Sequence, residues 1–132
     1  MQARDMEARS GAAMEGFEEL LRMYRQSLPE KRALLEQEWR AVREANEAAE
    51  APAQALRRQL HNLSGSGGAY GFEAMGEMAR TLEKRWVQWL ALPLPRPVPR
   101  RLADELAPLL RALLDALEAA ALPLDEGGKH GH

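Results

Sequence analysis

Apolar residues recur along this chain at helical intervals, in four runs separated by short breaks. The first run starts near Glu15 and places Phe17, Leu21, Tyr24, Leu28, Leu35, Trp39 and Val42 at near-heptad spacing, with Lys31 as the polar gap. It passes through Pro29 without losing phase. A proline inside a helix removes one hydrogen bond and clashes with the preceding turn, so the pattern predicts either a long helix kinked near Pro29 or a short helix joined to a long one. The stripe fades in "EANEAAEAP", from Glu44 to Pro52, which reads as a connection, with Pro52 suited to the first turn of the next helix. A second run follows from about Ala53, with Leu56, Leu60 and Leu63 on one face. A third carries Phe72, Met75, Ala79, Leu82, Trp86 and Trp89 in alternating steps of three and four, which assigns both tryptophans to the core. The alternating prolines of "LPLPRPVP" predict an extended connector. The fourth run holds Leu102, Leu106, Leu109, Leu113 and Leu117, with Pro108 bending its early turns.

Four amphipathic segments with short connections predict an all-α fold, an antiparallel four-helix bundle spanning residues 15–122. Residues 1–14 read as a flexible N-terminus. Residues 123–132 read as a disordered tail, since "DEGGKHGH" has no apolar residue. The residue types agree with the pattern. The chain has three valines, one threonine and no isoleucine, so a strand would lack the residues that suit strands.

Composition removes several functions. A formal net charge of −2 and a pI near 6.0 argue against nucleic acid as a partner, which calls for a basic face. The absence of cysteine excludes disulfides and thiolate metal sites. There is no apolar run long enough for a membrane span and no signal-peptide pattern at the N-terminus, so a cytoplasmic protein without membrane contact is expected. No GxxxxGK[ST] loop occurs, so ATP binding is not expected. "PLPRPVP" reads as a stiff connector rather than a ligand for a proline-recognising domain. His130 and His132, in a glycine-rich tail without other ligand types, read as inert.

One stretch does not fit a plain bundle. "RRQLHNLSGSGGAYGF", Arg57 to Phe72, places a histidine just ahead of four glycines inside a helical run. On a wheel at about 100° per residue, Leu56, Leu60 and Leu63 cluster and His61 lies about 130° from their centre, toward solvent or the bundle edge. Gly65 and Gly68 share the His61 face, Arg57 lies on the same side, and Arg58 sits near the opposite edge of that stripe. Gly67 falls on the leucine side, where it allows close helix packing. Gly65 and Gly68 clear the surface beside His61 at a cost of about 2 kcal/mol in helix propensity. A lone histidine with no cysteine, aspartate or second histidine in its local sequence makes no metal site and no acyl-transfer triad. An exposed imidazole can still act by itself as a nucleophile.

These residues resemble a known family. "HNLSGSGGAYGF" is similar to the motif of histidine-containing phosphotransfer (HPt) domains, with His61, Leu63, Gly65, Ser66 and Gly71 at matching positions. The likeness extends over most of residues 15–120. The resemblance implies that His61 accepts a phosphoryl group from the aspartate of a receiver domain and passes it to a second receiver, in a phosphorelay. It implies receiver domains of a hybrid histidine kinase or of response regulators as partners, with Mg²⁺ held by the receiver and no cofactor in this chain. Arg57, Arg58, Ser64, Gly65 and Gly68 are then the docking or supporting residues. One position departs from the pattern: Ser64 stands where the family often has lysine. Arg57 and Arg58, or Lys84 and Arg85 on the next helix, are the candidate replacements for that charge, although Arg80, Lys84 and Arg85 also read as an ordinary solvated face. Nothing in the sequence demands an oligomer, so a monomer is expected. The competing expectation is a module of the same fold that docks a receiver or a partner helix without phosphotransfer.

Overall fold

A computed structural model of the chain describes residues 2–46 and 50–124, with residues 2–12 described by their backbone alone. Four helices follow one another: α1 (Gln2–Glu44), α2 (Glu50–Ala69), α3 (Glu73–Leu90) and α4 (Pro99–Ala120). No strand occurs among the described residues. Each helix packs on two neighbours in a closed ring, α1 on α2 and α4, and α3 on α2 and α4, with α2 and α3 the most intimate pair. The expected tail from Asp125 to His132 lies outside the described residues.

The sequence stripes become the core. Leu28, Leu35, Val42, Leu56, Leu60, Leu63, Leu82, Trp86, Leu113 and Leu117 are fully or almost fully buried. Trp86 meets Trp39 and Trp89 edge to face, with ring centroids 5.6 and 6.0 Å away, the arrangement aromatic quadrupoles favour. The upper end of the α1 stripe differs from expectation. Phe17 remains 47% exposed, where α1 runs on past the end of α2 and its ring stacks on that of Tyr70 at 5.9 Å.

α1 is one helix from Gln2 to Glu44, so the two-helix alternative at Pro29 is not the one adopted. The physical reason is specific. Pro29 has no N–H to give to the carbonyl of Arg25, and that carbonyl instead accepts from the backbone N–H of Leu122, 3.0 Å away, where the chain leaves α4. The Arg25 side chain returns the tie by donating to the carbonyl of Ala120 at 2.9 Å. Helix α4 likewise continues through Pro108.

The α3–α4 connector folds back on the bundle rather than running as the expected extended rod. Its Leu94–Pro95 peptide is cis. Arg96, 8% exposed, donates to Glu50 of α2 and to the carbonyl of Leu90. Its guanidinium lies 5.1 Å from the ring centre of Trp89, a cation–π contact. Among the described residues no helix is long and apolar enough to cross a membrane.

Candidate functional site

The site is built on the α2–α3 hairpin. α2 ends in a Schellman-type turn: Gly71 takes a φ of +89°, its N–H reaches the Gly68 carbonyl and the Phe72 N–H reaches the Gly67 carbonyl. This positive φ is the conformational reason for glycine at position 71. The chain then reverses into α3, and residues equidistant from the turn face each other. Gly67 and Gly76 meet where the two backbones cross. A Cβ on Gly67 would stand 3.1 Å from the Gly76 nitrogen, and one on Gly76 would stand 3.0 Å from the Ser64 carbonyl oxygen. The sequence reading of Gly67 as a packing glycine holds, and Gly76 is its missed counterpart.

His61 lies on the exposed face of α2, with its side chain 67% exposed. Its Nδ1 is 2.9 Å from Oε2 of Glu83 on α3. An ionised carboxylate only accepts, so Nδ1 carries the hydrogen and Nε2 keeps its lone pair free. Glu83 is mostly covered, with its side chain 16% exposed, which holds the acceptor in place. Local sequence showed no such partner, because the two residues are 22 apart in the chain. A signal was present nonetheless: His61 and Glu83 are each eleven positions from Phe72, at the reversal.

The remaining expected site residues separate into distinct roles. Arg57 is half-buried, donates to the Gln54 side chain at 3.0 Å and stands 3.7 Å from the same Glu83 oxygen that His61 uses. Arg58 is exposed and turned toward α1, where its charge acts on Glu38. Burial raises the Glu38 carboxyl above its ordinary value, and Arg58 partly offsets this. Ser64 is 7% exposed, and its hydroxyl donates to the carbonyl of His61 at 2.8 Å. Its hydroxyl therefore braces the helix, while the residue borders a small notch together with Gly68 and Gly76. Gly65 and Gly68 are exposed, and a Cβ on either would meet nothing within 4 Å. Arg85 is committed to an ion pair with Glu105 of α4, while Lys84 is exposed.

Above the histidine an aromatic group joins α1 to the hairpin. Tyr24 stacks on Tyr70 at 4.4 Å between centroids, and its hydroxyl shares a 2.9 Å hydrogen bond with that of Ser66. Burial raises the Tyr24 phenol above its ordinary value, against the lowering effect of the Ser66 bond. Ser66, one of the motif positions, thus fixes the register of α2 against α1.

Comparison with known proteins agrees with this architecture. No curated protein and no solved structure matched the chain. The family model for the Hpt domain matches residues 19–120, a span that holds α2, α3, α4 and most of the core-facing part of α1. Its histidine phosphotransfer function in two-component phosphorelays applies at family level, and its members interact with receiver domains. The chain belongs to the Hpt domain family.

Proposed function

We propose that this protein is a phosphorelay intermediate in which His61 takes a phosphoryl group from a receiver-domain aspartyl phosphate and hands it to the aspartate of another receiver. The observation that carries this reading is the exposed His61 ring, with Nδ1 held 2.9 Å from Glu83. The Nε2 lone pair attacks phosphorus, the bond from phosphorus to the aspartyl oxygen breaks, and that electron pair returns to the carboxylate. Nδ1 keeps its hydrogen. The positive charge that develops on the ring then faces the Glu83 carboxylate. The reverse sequence delivers the group to the next receiver. Phosphoryl transfer of this kind depends on placement and charge stabilisation more than on acid–base chemistry. The receiver supplies the Mg²⁺ and the acyl phosphate. A cytoplasmic, monomeric carrier is consistent with this role.

The test is incubation with a phosphorylated receiver domain. Wild type acquires acid-labile label and His61→Gln acquires none. Label on His61→Gln equal to wild type would place the acceptor elsewhere. Absence of label on wild type, with a competent receiver, would leave only a docking role.

A further inference from the structure

We propose that Arg80 of α3 binds the phosphoryl group while it is carried on His61. This rests on the transfer reading above. A phosphoryl group on Nε2 brings oxygens with close to two negative charges onto a face that already holds the Glu83 carboxylate. A cation within reach is needed to balance them.

On α2 itself the position one turn beyond His61 is Ser64, which is buried and bonded to the His61 carbonyl. Arg57 is committed to Gln54 and Glu83 on the Nδ1 side of the ring. Arg58 faces α1 and Glu38. The helix packed most closely against α2 is α3.

Helices α2 and α3 run antiparallel, so the residue one turn before Glu83 comes opposite the residues one turn after His61. That residue is Arg80. It stands at the rim of a notch of about 130 Å³ that Ser64, Gly68, Glu73, Gly76 and Glu77 also line. Gly65 and Gly68 carry no side chain, and a Cβ on either would meet nothing within 4 Å, so these two positions place no side chain between the guanidinium and the ring. Arg80 is also available. Its side chain is 62% exposed, and its partner is the exposed Glu77, three residues earlier, at 2.8 Å. Surface pairs of that kind contribute little, so exchange of the Glu77 carboxylate for phosphoryl oxygens is inexpensive. Lys84 lies farther around α3 from α2, at about 100° from Glu83 against about 60° for Arg80.

The experiment follows phosphoryl transfer from a saturating phosphorylated receiver to wild type, Arg80→Ala, Arg80→Lys and the double variant Arg80→Ala/Ser64→Lys. It also records the ³¹P resonance of each isolated phosphoprotein. Arg80→Ala is expected to transfer about tenfold more slowly, the size of one lost charge-assisted hydrogen bond, with an unchanged melting temperature and a shifted ³¹P resonance. Arg80→Lys recovers part of the rate, and Ser64→Lys, which puts an ammonium into the same notch, recovers part in the Arg80→Ala background. A wild-type rate and resonance in Arg80→Ala overturn the inference alone. A slow Arg80→Ala with an unshifted resonance also overturns it, since Arg80 would then act on docking. A wild type that takes no label overturns the transfer reading and this inference with it.

Discussion

Gly67 and Gly76 let α2 and α3 cross so closely that a Cβ on Gly67 would stand 3.1 Å from the backbone nitrogen of Gly76. That crossing lies one to two turns from the His61–Glu83 bond, and it sets the separation across which the bond must reach. Gly67→Ala and Gly76→Ala are therefore expected to push the helices apart and destabilise the fold by about 1–3 kcal/mol, as overpacking does. Thermal denaturation measures this. At temperatures where the variants are still folded, His61 loses its bond to Glu83, seen as a change in the ring ¹⁵N shifts.

Gly65 and Gly68 should behave in the opposite way. A Cβ at either meets nothing within 4 Å, and alanine is the better helix former, so each substitution is expected to stabilise the protein by about 0.5–1 kcal/mol. Phosphotransfer should nonetheless slow, because the added methyl stands on the surface where a receiver must close on His61. A gain in melting temperature together with an unchanged transfer rate would remove the functional reason for these glycines.

Glu83 holds the His61 tautomer. In Glu83→Ala the ring is expected to populate both tautomers, visible in ¹⁵N spectra, and transfer should fall by about tenfold, equivalent to about 1.4 kcal/mol of lost transition-state stabilisation. Glu83→Gln keeps an acceptor at the same place and should retain the Nδ1–H form with an intermediate rate. Equal rates for Glu83→Ala and wild type would leave the bond without a role in transfer.

Glu38 gives a prediction in pH. Burial raises its carboxyl above the ordinary value of 4.5 in the folded state. A group raised in this way contributes stability that is fully present below its unfolded value and lost as pH rises through the folded one. Glu38→Gln removes that loss. The two proteins should melt alike near pH 4, and the variant should become the more stable one as pH rises above 4.5. The difference stays well under about 1 kcal/mol because the side chain is partly solvated. Melting curves across that range check the sign.

Arg96 tests the connector. Arg96→Ala removes the bond to Glu50, the bond to the Leu90 carbonyl and the contact over Trp89. The expected cost is about 1–2 kcal/mol, read by denaturation. Transfer below the melting transition should be unaffected, since none of these groups lies on the His61 face.

Much of this was legible in the chain. The stripes through Leu28, Leu60, Leu82 and Leu113 read directly as buried faces, because a helix repeats on itself and needs no knowledge of its neighbours. The wheel placed His61 outward and Gly67 inward for the same reason. What failed needed the relation between helices. Pro29 left two readings open, a kinked helix or a split one, because the donor that replaces its missing hydrogen bond, the Leu122 N–H, is 97 residues from the Arg25 carbonyl it serves. Phe17 looked like core because nothing in its own spacing reveals where α2 stops. Ser64 read as a docking or supporting residue, and nothing in its own spacing reveals the close approach of Gly76 that buries it. Glu83 could have been found by counting outward from the reversal at Phe72, but its carboxylate resembles any other on a charged helix edge.

The open floor at Gly65 and Gly68 has a kinetic consequence. Most docking surfaces must immobilise flexible side chains when a partner arrives, at about 0.5–1.5 kcal/mol for each. Here the ground beside the nucleophile is backbone already fixed by helical hydrogen bonds, with no rotamers to freeze on arrival or release on departure. A partner's visit freezes no side chain at these two positions, which lowers the entropic cost of each encounter and favours brief, frequent visits over a long-lived complex.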